Sequence, residues 1–212
     1  MQRLLRFYAK TLNKVWHCYA KARRAHGIHS SVIFSGRPLF RCARGAEILF
    51  GPSVRVNSLL SSNPIMMRAR STFCCVAPGA RILIGSNVGI SSASITAAIE
   101  VSIGEGTLLG ADCLITDTDF HIPLGNHRWG NDVLAGAAPV RIGKGCFIGA
   151  RTIILKGVTI GDGAIVAAGS IVTKDVPAEY LAAGNPAATR PLPDKWCQSL
   201  AGQAQSNSPL QP

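Results

Sequence analysis

Aliphatic residues recur at every sixth position along much of the chain. Ile142, Ile148, Ile154, Ile160, Val166 and Val172 keep this spacing without a slip, and Gly143, Gly149 and Gly161 follow three of them. Four residues after each aliphatic stands a small or β-branched side chain: Cys146, Thr152, Val158, Ala164, Ser170 and Val176. Upstream, Ile103, Leu109 and Ile115 repeat the pattern, as do Ile84 and Ile90, while Ile48, Val54 and Leu60 make a weaker start. An amphipathic helix spaces apolar residues by three and four, and a half-buried strand by two. A period of six fits neither. It predicts short strands joined by tight turns, each hexad forming one flat side of a coil, with successive coils stacked in parallel so that the aliphatics form ladders inside a narrow prism.

The interruptions carry as much information as the repeat. Thr96 stands where the Ile84 and Ile90 series would continue, and the next aliphatic, Ile103, lies seven residues on. Six residues after Ile115 comes His121, and the period then fails until Ile142. Residues 122–141, with Gly125, Asn126, Gly130, Asn131, Asp132, Gly136 and Pro139, are expected to leave the coil as a loop. A long loop leaving a rigid scaffold beside a histidine is a candidate functional site. Residues 61–80 fit the repeat poorly and are expected to form an irregular coil. Residues 2–25 read as a helix whose apolar stripe is Leu4, Leu5, Tyr8, Leu12, Val15, Trp16 and Tyr19. The expected organisation is a basic helical arm over 1–35, a repeat domain over 36–190 and a flexible tail over 191–212.

The stretch IGKGCFIGARTIILKGVTIGDGAIVAAGSIVTKDV at 142–176, together with AGNPA at 183–187, resembles the hexapeptide-repeat acyltransferases, most closely those acetylating sugars and polysaccharides. The resemblance covers roughly residues 36–190. It implies an all-β fold, a left-handed parallel β-helix, working as a homotrimer with acetyl-CoA as the acyl donor. It also implies that His121, in the motif Asp117-Thr118-Asp119-Phe120-His121, is the catalytic base; here Ile122 separates the histidine from Pro123, which usually follows directly. The positions matching the family's coenzyme A groove are Ala150, Ala168, Thr173 and Lys174, with Arg190 one residue early for a phosphate contact. Ser91 stands where relatives carry an asparagine facing the acceptor. Asn57 and Asn63 point either to that groove or to turn caps.

The chemistry is consistent with this assignment. An alcohol attacks a thioester poorly until a base with a pKa near neutrality takes its proton, which suits histidine. Asp117 or Asp119 either orients that imidazole and meets substrate, or caps a turn. Trp129 either stacks on a sugar or anchors the loop on a neighbouring subunit, and His127 either assists the acceptor sugar or, in the more ordinary use, is a solvated loop residue. Only two histidines, His121 and His127, lie in the repeat region, so no three-histidine metal site is expected. Cys113 and Cys146 fall at the small interior position.

Composition narrows the classes. With 47% hydrophobic and 16% charged residues in 212, the chain can bury a core, and it contains no stretch long and apolar enough for a spanning helix. The net charge is +11, but residues 1–44 hold ten basic side chains and no acid, leaving the body near neutrality. This argues against a nucleic-acid-binding surface. It permits the arm over 2–25 to meet an anionic membrane surface or to dock on the body. Seven cysteines at irregular spacing and the absence of a leader pattern point to reduced thiols in the cytoplasm. The sequence therefore predicts an O-acetyltransferase acting on a sugar or polysaccharide precursor. The alternatives are a serine O-acetyltransferase-like enzyme and a non-catalytic scaffold anchored by its basic arm.

Overall fold

The protein is represented by a computed structural model, which describes residues 2–22, 25, 27–59 and 69–193. After a helix over Gln2–Ala22, short strands wind around a three-sided prism. Sheet A stacks Gly27–Ile28, Glu47–Phe50, Arg81–Ile84, Glu100–Ile103, Val140–Ile142 and Thr159–Ile160. Sheet B stacks Ile33–Ser35, Arg55–Asn57, Gly89–Ser91, Leu108–Leu109, Phe147–Ile148, Ile165–Val166 and Tyr180–Gly184, and ends with Ala187–Pro191 folded back antiparallel. Sheet C stacks Leu39–Cys42, Thr72–Cys75, Ser94–Ala97, Leu114–Thr116, Ile153–Ile154 and Ile171–Val172. Within the prism every sheet pairs in parallel, and the chain visits A, B and C in turn, in agreement with the expected left-handed parallel β-helix.

The repeat of six becomes the interior ladder from Ile142 onward. Ile142, Ile148, Ile154, Ile160, Val166 and Val172 are all buried, and so are the six small or β-branched residues four positions after them. Each aliphatic lies in register with its counterpart one coil away: Ile103 with Ile142, Ile115 with Ile154. Some corner glycines, Gly110 among them, stand where backbones stack too closely for a side chain. A Cβ on Gly110 would come within 2.6 Å of the Ala150 nitrogen.

The first coils depart from the expected register. Phe50 and Val56, not Ile48 and Val54, are the register partners of Ile84 and Ile90. Ile48 and Val54 are buried all the same, two positions away. Leu60 lies outside the described residues. The sheet C ladder passes through Ile95 rather than Thr96, one residue early, and the corner before Glu100 absorbs that residue together with the inserted one. Residues 61–80 are only partly irregular: Thr72–Cys75 is an ordinary sheet C strand between Leu39–Cys42 and Ser94–Ala97, while 60–68 lie outside the described residues. The core at this end is aromatic rather than small. Phe40 stacks on Phe73 at 5.4 Å, and Phe34 and Phe50 meet them edge-on.

The helix closes this end. Asn13 accepts a hydrogen bond from the Phe34 amide at 2.8 Å and donates one to the Val32 carbonyl at 3.0 Å. The His17 Nε2 lies 2.9 Å from the same carbonyl, and its ring meets Phe34 edge-on. These side chains satisfy backbone groups of an edge strand that would otherwise invite another chain. The docking face is thus Asn13, Trp16, His17, Tyr19 and Ala20, not the full apolar stripe: Leu12 and Val15, expected on the buried side, are 44% and 50% exposed. The strands begin at Gly27, so the arm is helical only to Ala22 and the coil starts ahead of residue 36. The last strand reaches Pro191, and 194–212 lie outside the described residues.

Candidate active site

The prism has three edges, and the chain leaves it along the edge joining sheet C to sheet A. Between Leu114–Thr116 and Val140–Ile142 it forms an antiparallel hairpin of His121–Gly125 and Arg128–Asn131, turning at Asn126 and His127, both with positive φ. The excursion starts earlier than expected, since His121 is already the first residue of the hairpin, and Val140 is already back in sheet A. His121 is exposed and pairs with Asn131 at the root of the hairpin.

The root is held by its own polar groups. Thr118 is buried; its hydroxyl donates to the Val133 carbonyl at 2.6 Å and accepts from the Phe120 amide at 3.1 Å. Asp117 is fully buried, and its carboxylate accepts hydrogen bonds from the amides of Ala98, Ile99 and Glu100 at 2.6, 2.7 and 2.8 Å. Those amides belong to the corner of the preceding coil that absorbs the extra residue. Asp117 thus ties down the insertion directly beneath the hairpin. This corrects the expectation that it meets substrate or orients His121. Asp119 is exposed, but its carboxylate is paired with the Lys156 ammonium at 2.5 Å. Neither aspartate is hydrogen-bonded to the imidazole.

The other expected residues fall into two groups. Thr173 and Lys174 are exposed on the same edge as His121, further along the prism. Ser91, Ala150 and Ala168 lie on the edge joining sheet B to sheet C, a full sheet width away. Ser91 borders a shallow groove with Arg55, Asn57, Leu108 and Phe147. Asn63 lies outside the described residues. Arg190 is exposed on the antiparallel strand that closes sheet B, opposite Leu181. Trp129, 70% exposed, projects from the hairpin, with Leu124 exposed beside its turn. A single chain therefore does not bring its expected residues together.

Cys113 and Cys146 are interior. Cys113 donates to the Gly149 carbonyl at 3.2 Å, and burial pushes its thiol up to about 11. Cys146 donates to the Gly161 carbonyl at 3.1 Å, and burial raises it too. Thiols so disfavoured as thiolates are not nucleophiles. Among the described residues no three His, Cys, Asp or Glu side chains gather as a metal-ligand set, and no helix is long and apolar enough to cross a membrane.

Sequence reasoning missed Lys156 and the role of Thr118. The only signal for either was position: Lys156 occupies the turn one coil after the excursion, on the same edge.

Comparison with known proteins agrees with this architecture. Residues 100–126 and 139–174 match the family profile described as the hexapeptide repeat of succinyl-transferase. Galactoside O-acetyltransferase of Escherichia coli K12 is 34% identical over 109 residues, 51% of this chain and 52% of that protein. The 2,3,4,5-tetrahydropyridine-2,6-dicarboxylate N-acetyltransferase of Staphylococcus aureus strain JH9 is 52% identical over 67 residues, 29% of this chain and 28% of that one. The chain spans about half or less of the length of these curated relatives. Among solved structures, a point mutant of AntD, an N-acyltransferase from Bacillus cereus, superposes with a TM-score of 0.63 at 19% identity, covering 89% of this chain and 95% of that one. The six-residue period and the three parallel sheets it builds are thus the architecture of the hexapeptide-repeat proteins that this chain is similar to.

Proposed function

We propose that the chain is an acetyl-CoA-dependent O-acetyltransferase that modifies a sugar hydroxyl, with His121 as general base. The observation that carries this reading is the placement of His121: an exposed imidazole at the root of a braced hairpin, where the coil is interrupted. The O-acetyltransferase relative, with 34% identity over half the chain, supports the reaction class and the sugar acceptor.

The reaction follows from the chemistry of the groups. The imidazole takes the proton of the acceptor hydroxyl as its oxygen attacks the thioester carbonyl. The tetrahedral intermediate collapses with cleavage of the C–S bond, and the imidazolium returns the proton to the departing thiolate of coenzyme A. A thioester is activated enough that no acyl-enzyme is required. This role for His121 needs no partner carboxylate, in keeping with the other engagements of Asp117 and Asp119.

The site lies between copies of the chain. His121, Thr173 and Lys174 on one edge are separated by sheet C from Ser91, Ala150 and Ala168 on another, so a groove containing both sets forms when one prism's C/A edge meets the next prism's B/C edge. A closed cyclic assembly such as a homotrimer does this at each interface. The half-exposed Leu108 and Phe147, register neighbours on the outer face of sheet B, suit burial in such a contact. The small side chains of Ala150 and Ala168 leave room for the pantetheine arm against the backbone, and Lys174 and Arg190 supply positive charge for its phosphates. Trp129 offers an aromatic face to the acceptor. Leu12 and Val15, left outward by helix docking, are the part of the arm open to a membrane surface at a cytoplasmic site of action; Leu12→Glu/Val15→Glu should reduce flotation with anionic liposomes.

The deciding experiment is His121→Ala. Transfer should fall by about 10²–10⁴-fold, while acetyl-CoA still raises the thermal midpoint of the variant as it does the parent. Undiminished transfer removes His121 from the mechanism. No acetyl-CoA protection of either protein favours the non-catalytic scaffold.

A further inference from the structure

We propose that Lys156 is a positioning residue for His121, clamping the incoming and outgoing limbs of the excursion, on either side of the hairpin, onto the next coil; this rests on the reading of His121 as the base. Lys156 stands in the turn between Ile153–Ile154 and Thr159–Ile160, one coil beyond the hairpin on the same edge. Its ammonium pairs with Asp119 on the incoming limb, two residues before His121. The same nitrogen sits against Gly136 on the outgoing limb, where an added Cβ would be 3.2 Å from it. Backbone bonds complete the clamp beside it: the Gly157 amide donates to the Ala138 carbonyl at 2.8 Å, and the Ala138 amide donates to the Asp117 carbonyl at 2.9 Å.

The connection to His121 runs through one residue. Phe120, between Asp119 and His121, adopts a φ of +64°, a conformation that a bulky side chain takes only where its surroundings impose it. On one side the surroundings are the Asp119–Lys156 pair. On the other, the Phe120 carbonyl accepts from the Asp132 amide at 3.2 Å, and the Phe120 amide donates to the Thr118 hydroxyl at 3.1 Å. Releasing Asp119 frees one of the three holds on this segment, the one that ties it to the next coil, and so loosens the direction in which His121 leaves the coil. An exposed ion pair adds little to global stability, whereas a small displacement of a catalytic group costs rate steeply. The effect therefore falls on turnover rather than on folding.

The test compares Lys156→Met, Lys156→Arg, Asp119→Asn, the Met/Asn double variant and His121→Ala in the full-length protein. Coenzyme A release is followed with acetyl-CoA and an alkyl galactoside as probe acceptor, alongside hydrogen exchange of the amides in 118–138. Lys156→Met and Asp119→Asn should each lower kcat about tenfold with KM for acetyl-CoA within about twofold, the double variant should lose no more than the worse single, and Lys156→Arg should recover most of the rate. Hairpin amides should exchange about tenfold faster in Lys156→Met and unchanged in His121→Ala, whatever the acceptor. Unchanged hairpin exchange in Lys156→Met overturns the clamp. So does a loss confined to KM, which would make Lys156 a donor-binding group, or additive losses in the double variant. If His121→Ala retains full transfer, the base assignment fails instead; if it is inactive while Lys156→Met turns over normally, only the clamp fails.

Discussion

The coils from Val140 to Val176 and the excursion from Thr118 to Pro139 adjoin in the chain and follow different rules. In the coils a side chain's fate is set by its position in the hexad, and the same six-residue step that buries Ile142 buries Val172. In the excursion nothing repeats. Its shape depends on what the neighbouring coils offer: three amides above for Asp117, a lysine below for Asp119, a carbonyl across the hairpin root for Thr118. The regular part supplies a rigid edge and the irregular part carries His121, the proposed base, and the polar residues at their junction hold one to the other.

The contrast breaks most sharply at the junction itself. Asp117→Ala leaves three backbone amides without their acceptor and should cost about 3 kcal/mol or more in urea unfolding; Asp119→Asn, two residues away but exposed, should change stability by less than about 1 kcal/mol. Next come the ladders. Ile154→Ala, at a fully buried position, should cost about 2–5 kcal/mol, while Leu124→Ala, 53% exposed on the hairpin, should stay within about 0.5 kcal/mol. Two corner glycines separate steric from conformational demands. Gly110→Ala forces backbone apart, whereas Gly145→Ala meets open space and bears only the strain of a φ of +61°. The thermal midpoint should fall further for Gly110→Ala, with about 1 kcal/mol expected for Gly145→Ala. The last effect is alkaline. The folded Cys113 thiol ionises near 11, from an ordinary value of 9.0. The unfolded chain therefore loses that proton first, and stability should decline as pH climbs from about 9 toward 11. Cys113→Ala should flatten that decline in pH-dependent melts.

The legibility of the sequence divides along the same line. The ladder from Ile142 to Val172 and the small residues between its rungs could be read directly, because a rung is specified by local spacing. At the other end the same reasoning chose Ile48 and Val54, two positions from the true rungs Phe50 and Val56, since both pairs are spaced by six and both are buried. Only pairing across coils distinguishes them. The helix stripe misled for a related reason: docking depends on the polar needs of the edge strand, which Asn13 and His17 meet, and Leu12 gave way to them. His121 was visible as the residue where the period stops. The roles of Asp117 and Lys156 were not, because their partners lie 17–19 and 37 residues away and meet them only once the coils stack. The division of the candidate residues between two edges was hidden likewise, since hexad position fixes depth in the prism but the edge follows from counting whole coils.

That division makes the shared site the most exposed part of the account. His121→Ala and Ala168→Trp each disable a different edge, and each should be inactive alone. Co-expressed with different tags and purified as mixed trimers, they should regain roughly a third of the wild-type sites, because one interface in each then pairs an intact His121 edge with an intact Ala168 edge. Mixed assemblies as inactive as either parent would contradict a site built between copies of the chain.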